Sequence, residues 1–331
     1  MSIENMMSQS PWPRVAVVGA GAVGCFFGAK LAKAGASVTL IGRAPAMRAI
    51  ADHGLEVSGQ GYSDTVALHT STELSAAADS DLILVCVKTS DTISTAKTLA
   101  PFLKADTVLL SLQNGVDNVE KIFTATGLRA IPAAVYVAVE MSAPGKLLHR
   151  GRGDLLIGAF PFKDQLASAP DVAQHHSVAT EAAVRKVSAW LEASGVPCPV
   201  SDNVLGELWG KLILNCAVNA ISALTQAPYG RMVARTEIKN MISVLVRETL
   251  TVGRAHGVKL KDIDHEQAVF RVIEGMSGQY SSTAQDIARG KPTEIDALNG
   301  YVATLAQQHG VDAPLNSWLT AMVKLREQLA R

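Results

Sequence analysis

The sequence predicts an α/β sheet domain followed by an all-helical domain, and three observations predict it. A glycine-rich turn, Gly19-Ala20-Gly21-Ala22-Val23-Gly24, joins a β-branched run to a small-residue helix. Apolar runs of strand length recur through the first half, and after Asn203 long apolar or amphipathic stretches dominate with no convincing strand. The 331 residues exceed the roughly 250 to 300 at which a single hydrophobic core stops growing, so two domains are expected. With 48% apolar and 18% charged residues, there is material for both cores.

Residues 14–19 (RVAVVG) form the first predicted strand, and the glycine turn feeds a helix around Cys25 to Ala34 that ends at Gly35. Residues 37–41 (SVTLI) form the next strand. The resulting βαβ unit is satisfied by a right-handed crossover in a parallel sheet, which makes the domain a Rossmann-type doubly wound sheet. Strands over 82–87 (LILVCV) and 107–111 (TVLLS) are apolar throughout, as burial on both faces requires. From Ile131 to Gly158 short extended pieces with turns at Pro144-Gly145 and Gly151-Arg152-Gly153 predict antiparallel strands that close the sheet. Residues 161–180 read as a surface loop, a helix covers Val184 to Leu191, and Pro197 and Pro199 break the pattern. The expected organisation is a flexible leader at 1–13, the sheet domain at 14–201 and the helical domain at 202–331.

Thirty basic and thirty acidic side chains cancel, so no positive field is available for nucleic acid or an anionic membrane. The first 13 residues lack a basic start followed by an apolar run, so no signal peptide is expected, and no uninterrupted apolar segment approaches the roughly 20 residues of a membrane span. Cys25, Cys86, Cys198 and Cys216 are scattered, which suits a reducing cytoplasm. His175-His176 falls in the expected surface loop and no cluster has metal-ligand spacing, so no metal is expected. A homodimer through the helical domain is expected only from the frequency of two-fold pairs among soluble enzymes.

The glycine turn has the context a dinucleotide demands. Gly19 permits the tight turn, Gly21 lets backbone approach a pyrophosphate, Gly24 allows close helix packing, and Ala20, Ala22 and Val23 complete a loop at a helix N-terminus whose N–H groups face the phosphates. At the end of the second strand an acidic residue would hold the ribose hydroxyls of NAD; here the sequence is Ile41-Gly42-Arg43. An arginine pairs with a 2′-phosphate, so NADP(H) is the expected cofactor, the alternative being a solvated surface arginine. Lys88 and Asn114 follow the next two strands at the carboxyl edge, where open parallel sheets bind ligands. Lys88 suits a phosphate or carboxylate or is simply solvated, and Asn114-Gly115 is also a turn signal.

In the stretch from Trp209 to Ala220, Lys211, Asn215 and Asn219 recur every fourth residue among apolar neighbours, so one helical stripe carries all three. A desolvated lysine becomes a usable proton donor near neutrality. Equally, asparagines bonding between helices and a lysine reaching water would give the same pattern. Two later segments, Tyr280 to Asp286 and Lys291 to Asp296, read as helix starts: Ser282 to Gln285 matches a capping box, and Glu294 suits a first turn. An exposed helix N-terminus also suits a substrate carboxylate.

Taken in order, GAGAVG, the strand-end Val87-Lys88, Gln113-Asn114-Gly115, W-x-K-x-x-x-N-x-x-x-N from Trp209, and SS-x-x-Q-D followed by TEID resemble the ketopantoate reductase (2-dehydropantoate 2-reductase) family over nearly the whole chain after Pro13. The resemblance implies Lys211 as the proton donor, Asn215 and Asn219 as substrate-holding groups, Ser282 on the substrate carboxylate, and Glu294 close to the nicotinamide ribose and the lysine. Lys88 and Asn114 match cofactor-contacting positions, Asn114 also being expected at the substrate. Two positions depart from the family pattern: Tyr229 stands where an asparagine is common, and Glu140 adds a negative charge near the cofactor strand. Both bear on which substrate is taken. The expected reaction is reduction by NADPH of a 2-oxo acid, 2-dehydropantoate first among them, to its 2-hydroxy acid. An opine-type or hydroxy-acid dehydrogenase is an alternative, and so is a redox-sensing module that holds NADP without turnover.

Overall fold

The structure is a computed structural model, and it describes residues 12–162 and 179–329. The His175-His176 pair and most of the expected leader and surface loop lie outside those residues. The chain divides into two compact units, Met1–Gln113 with Asp117–Val204 and Asn114–Val116 with Leu205–Arg331.

The first unit is built on one nine-stranded sheet: β1 (Arg14–Val18), β2 (Ser37–Ile41), β3 (Leu55–Gly59), β4 (Tyr62–Val66), β5 (His69–Ser71), β6 (Leu82–Val85), β7 (Val108–Ser111), β8 (Ala130–Ala143) and β9 (Lys146–Ile157). Their spatial order is β4-β3-β9-β8-β7-β6-β1-β2-β5. From β5 through β2, β1, β6 and β7 to β8 all pairs are parallel. That run is the doubly wound order 3-2-1-4-5-6, whose reversal point lies between its first and fourth strands, here β1 and β6. Helices α1 (Ala22–Lys33), α2 (Ala44–His53), α3 (Thr92–Leu99), α4 (Asn118–Thr126) and α5 (Glu181–Ala193) complete the unit. Every residue of β6 and β7 is buried, as the uninterrupted apolar runs require.

Three strands were not foreseen. β3 and β4 form a hairpin, and β3 then pairs parallel with β9 through Glu56↔Lys146, while β5 extends the other edge against β2. The expected antiparallel pair is β8 with β9, turning at Pro144-Gly145, but Gly151-Arg152-Gly153 lies inside β9. The register shifts there between Tyr136 and Val137 and again between Ala138 and Val139, with Arg152 at φ 56°, so the glycines serve bulges rather than a turn.

The second unit holds α6 (Val204–Thr225), α7 (Tyr229–Val233), α8 (Thr236–Ala255), α9 (His265–Gly275), α10 (Ser282–Ala288), α11 (Asn299–His309) and α12 (Pro314–Leu329). By length and mean hydropathy α6 could cross a membrane, although Glu207, Lys211, Asn215 and Asn219 interrupt its apolar run; 67% of its apolar window is buried within the structure, which marks it as the core helix of this unit. Ile213, Ala217, Val218, Ala220 and Ile221 of α6 pack with Ile242, Leu245 and Val246 of α8. All four cysteines are free, and burial pushes the Cys25 and Cys198 thiols up to about 12, so they are packing residues.

A buried polar relay fixes α12. The Glu248 carboxylate accepts from the backbone N–H of Leu315 and of Asn316, both at 3.0 Å, and from Asn316 Nδ2 at 2.8 Å. Asn299 Nδ2 donates to Asn316 Oδ1 and to the Cys216 carbonyl, each at 3.0 Å, which ties α11, α12 and α6 together. A carboxylate at a helix N-terminus meets donors that have no intrahelical partner. Glu248→Ala strands those donors and is expected to cost about 2–3 kcal/mol, a fall in Tm of roughly 5 °C or more by calorimetry, with Glu248→Gln intermediate. An unchanged Tm would show that the relay carries no stability.

Candidate active site

The turn after β1 closes tightly. Gly19 N donates to the Ile41 carbonyl at 3.0 Å and Gly21 N to Gly19 O at 2.8 Å. Gly19 takes φ +102°, and a Cβ there would lie 2.6 Å from both the Cys86 carbonyl carbon and the Val87 nitrogen. The loop after β1 therefore rests directly on the loop after β6. At Gly24 a Cβ would lie 2.5 Å from Gly19 O and 2.7 Å from Val17 Cγ1, so this glycine sets the closeness of α1 to β1. Gly21 is the N-cap of α1, and nothing lies within 4 Å of the place a Cβ would take. The open space above Gly21 adjoins the first N–H groups of α1, at Ala22, Val23 and Gly24, which have no partner within the helix and give the turn the polarity of an anion cradle. Arg43 is the exposed N-cap residue of α2, directly beyond β2.

Lys88 is half-buried and opens the 3₁₀ turn Thr89–Asp91 after β6. The loops after β6 and β7 are joined by a buried network that motif reading did not single out. Gln113 Nε2 donates to the Val87 carbonyl at 3.1 Å and to Thr92 Oγ1 at 2.6 Å, while Gln113 Oε1 accepts from Ser111 Oγ at 3.0 Å. Thr92 Oγ1 in turn donates to Asn118 Oδ1 at 3.0 Å. The only sequence signal was the Gln preceding Asn114-Gly115, whose role depends on partners about twenty residues away.

Residues Asn114–Val116 belong to the helical unit although the chain on either side belongs to the sheet unit. In that unit Lys211 Nζ donates to Asn114 Oδ1 at 3.0 Å, and Asn114 Nδ2 donates to Glu294 Oε2 at 3.1 Å. An ammonium only donates and a carboxylate only accepts, so the amide can serve both in this orientation alone. Lys211, Asn114 and Glu294 are each half-buried. Asn215 and Asn219 continue the Lys211 stripe along α6, roughly 6 Å of rise per step. Asn215 is half-buried and Asn219 buried.

Ser281, not Ser282, caps α10: its hydroxyl accepts from Ala284 N at 3.0 Å and donates to the Asn219 carbonyl at 3.2 Å, so the expected Ser282–Gln285 box does not form. The bond to Asn219 anchors the start of α10 on the turn of α6 that ends the polar stripe, and Ser282 is the exposed first residue of α10. Glu294 does not start an α-helix either. It caps the 3₁₀ turn Ile295–Ala297, on a loop held by Thr293 N donating to Glu327 Oε1 at 2.6 Å. Tyr229 is buried at the start of α7, its hydroxyl held protonated by desolvation, and its N–H donates to the Gln279 carbonyl at 2.9 Å. The unexpected charge of Glu140 is matched across the hairpin by Arg150, whose Nε lies 3.0 Å from Glu140 Oε1. Among the described residues no group of three or more His, Cys, Asp or Glu could hold a metal ion.

A doubly wound sheet with a phosphate-type cradle at its reversal point, followed by a helical unit with a lysine–amide–carboxylate chain, defines a nucleotide-binding oxidoreductase. Residues 15–161 match the family described as ketopantoate reductase PanE/ApbA, and residues 203–327 match its C-terminal region. The chain belongs to the ketopantoate reductase family, enzymes of the oxidoreductase class acting on CH–OH groups. It is 32% identical over 320 residues to the 2-dehydropantoate 2-reductase of Pyrococcus horikoshii, covering 96% of this chain and 98% of that one. Against the 2-dehydropantoate 2-reductase of Caulobacter vibrioides it is 31% identical over 312 residues, 93% of this chain and 97% of that one. Among solved structures, a PanE/ApbA family ketopantoate reductase from Ralstonia eutropha JMP134 is similar, with a TM-score of 0.85 and 42% identity over 96% of this chain and 99% of that one.

Proposed function

We propose that this protein reduces a 2-oxo acid with NADPH, 2-dehydropantoate to pantoate being the first candidate, and that Lys211 delivers the proton. The observation that carries the proposal is the chain from Lys211 through Asn114 to Glu294. The nicotinamide supplies the hydride when bound. The protein's part is to bind, orient and protonate. The cradle over Gly21 and the N–H groups of α1 receive the pyrophosphate, with Ala20 in the same loop, and Lys88 adds a positive charge at the carboxyl edge of the sheet. Asn114 orients the Lys211 ammonium, which passes a proton to the oxygen of the ketone as negative charge develops there. Glu294 orients Asn114 from the other side. Asn215 and Asn219 offer amides along the same face of α6 to the rest of the substrate, and Ser282 offers a hydroxyl and a helix N-terminus to its carboxylate. Tyr229 puts a buried phenol where family members often have a small amide, which favours a second reading: a 2-oxo acid with a less hydroxylated tail.

The test is purified full-length protein with 2-dehydropantoate and a panel of other 2-oxo acids, following NADPH absorbance with NADH in parallel. Substrate-dependent oxidation of NADPH is expected. Tight NADPH binding without turnover on any 2-oxo acid would instead identify a binding module.

Arg43 gives the cofactor preference its own test. A guanidinium at the end of β2 matches a 2′-phosphate, which NADH lacks. Arg43→Ala is expected to raise KM for NADPH by about 10-fold or more, the worth of one charge-assisted contact, with KM for NADH nearly unchanged. Equal effects on both would mean that Arg43 does not read the phosphate. With four free thiols, three of them buried, and no net charge, we infer a cytoplasmic setting in which small molecules are the partners.

A further inference from the structure

Away from the glycine turn, the sheet unit holds a cavity of about 320 Å³ at the other end of α1. Small-molecule pockets run from about 300 to 1,000 Å³, so it is large enough for a compact ligand. Lys30 and Lys33 in its wall lie roughly 13 and 18 Å along the helix from Gly21, which separates the cavity from the cradle. Phe26, Ala29 and Val57 line it with buried carbon, and Tyr62 of the β3–β4 hairpin adds a second ring. Exposed Ala193, the last residue of α5, stands at the rim. His149 holds both rings. Its Nε2 donates to the Arg152 carbonyl, which can only accept, so Nδ1 of the neutral imidazole accepts from the Tyr62 hydroxyl at 2.7 Å. The same imidazole lies against Phe26, with ring centroids 4.7 Å apart. The aromatic walls are therefore set before a ligand arrives.

We propose that this cavity is a second small-molecule site, separate from the cofactor cradle, for an aromatic carboxylate carrying a single negative charge. Charge selects the occupant. Two lysines and one aspartate line the walls, which leaves one positive charge in excess. Lys33 is ion-paired with Asp64, and as the last residue of α1 it also serves the dipole of that helix. Lys30 is half-buried and stands over the Phe26 ring, its Nζ 5.8 Å from the centroid, with no ion pair among the described residues. An ammonium that shares a partly desolvated wall with aromatic carbon matches an anion carried on a flat apolar body. The carboxylate takes a charge-assisted hydrogen bond from Lys30, while the ring system lies against Phe26 and Tyr62. A neutral ring compound forgoes the first of these contacts, and a small inorganic anion forgoes the second.

Competition binding on the full-length protein is the test, with saturating NADP present so that the cradle is filled and with Tm as the control for folding. The fluorescent probe is 8-anilinonaphthalene-1-sulfonate, an aromatic anion; the competitors are 1-naphthoate and its neutral counterpart 1-naphthalenemethanol. A single equivalent of probe is expected to bind each chain, and naphthoate is expected to displace it with an affinity at least about 10-fold above that of the alcohol, the size of one charge-assisted contact. Lys30→Gln keeps most of the side chain and removes its charge, so the preference for naphthoate is expected to shrink to within about 2-fold. Ala193→Trp, at an exposed position, fills the space from the rim and is expected to weaken probe binding by about 10-fold or more with Tm unchanged. Absence of probe binding to the NADP-saturated protein overturns the proposal. So does a preference for naphthoate that survives Lys30→Gln, or probe affinity that is unaltered in Ala193→Trp.

Discussion

Lys211→Ala is expected to lower kcat for 2-oxo acid reduction by about 10²-fold or more, while the Kd for NADPH stays within about 2-fold of wild type. A factor of 10² corresponds to about 2.7 kcal/mol of transition-state stabilisation, which is the size of one well-placed proton donor. The geometry argues for separation of the two effects. Lys211 lies on α6 and bonds to Asn114 at 3.0 Å, whereas the glycine cradle is formed by β1 and α1. Lys211→Arg is the sharper variant. A guanidinium can still donate to Asn114, yet it does not release its proton in the accessible pH range. If positive charge near the ketone is all that matters, arginine restores much of the rate; if proton delivery matters, it does not. Steady-state kinetics with 2-dehydropantoate, together with fluorescence titration of NADPH, separate these outcomes. Turnover near wild type in Lys211→Ala would remove Lys211 from the role of acid.

The parts of this molecule that were legible in the sequence are those set by neighbours in the chain. β2 falls on Ser37–Ile41 as its β-branched pattern requires, and β1, the glycine turn and α1 follow from the consecutive residues Arg14 to Lys33. β3, β4 and β5 were not legible because they are short, half-exposed and polar at Glu56, Ser58, Ser63 and Asp64, and because β3 finds its second partner in β9, some ninety residues on. Gly151-Arg152-Gly153 resembles a turn locally, and pairing with β8 converts it to a bulged strand. The site divides the same way. The stripe of Lys211, Asn215 and Asn219 needs only helical periodicity. The bonds that give Lys211 its setting span 97 residues to Asn114 and a further 180 from there to Glu294, and no local rule reaches across such gaps. With two serines in succession, local pattern favoured Ser282 as the cap of α10; the hydroxyl of Ser281 has the Asn219 carbonyl to bond as well, and that tertiary contact decides it.

Gly19→Ala and Gly21→Ala are expected to fail in different ways, and the difference isolates what the cradle is for. At Gly19 the backbone sits at φ +102°, which an alanine rarely adopts, and the new Cβ would press on backbone atoms of Cys86 and Val87 that cannot rotate away. Strain of about 1–3 kcal/mol is expected from the dihedral alone, with more from the contact, so the loops after β1 and β6 must separate. Gly19→Ala should therefore lower Tm by several degrees and weaken NADPH binding by 10²-fold or more, on the order of the 2.7 kcal/mol that displacement of the phosphate loop represents. At Gly21 φ is −85°, ordinary for any residue, and nothing lies within 4 Å of the added carbon. The folded protein gives alanine no reason to destabilise it, so Tm should stay within about 2 °C of wild type. A methyl group there would nevertheless occupy the space assigned to the pyrophosphate, and NADPH affinity should fall by roughly 10-fold or more. Calorimetry and NADPH titration on both variants decide the matter. Unchanged affinity in Gly21→Ala would mean that the dinucleotide does not approach this turn, whatever Gly19→Ala does to stability.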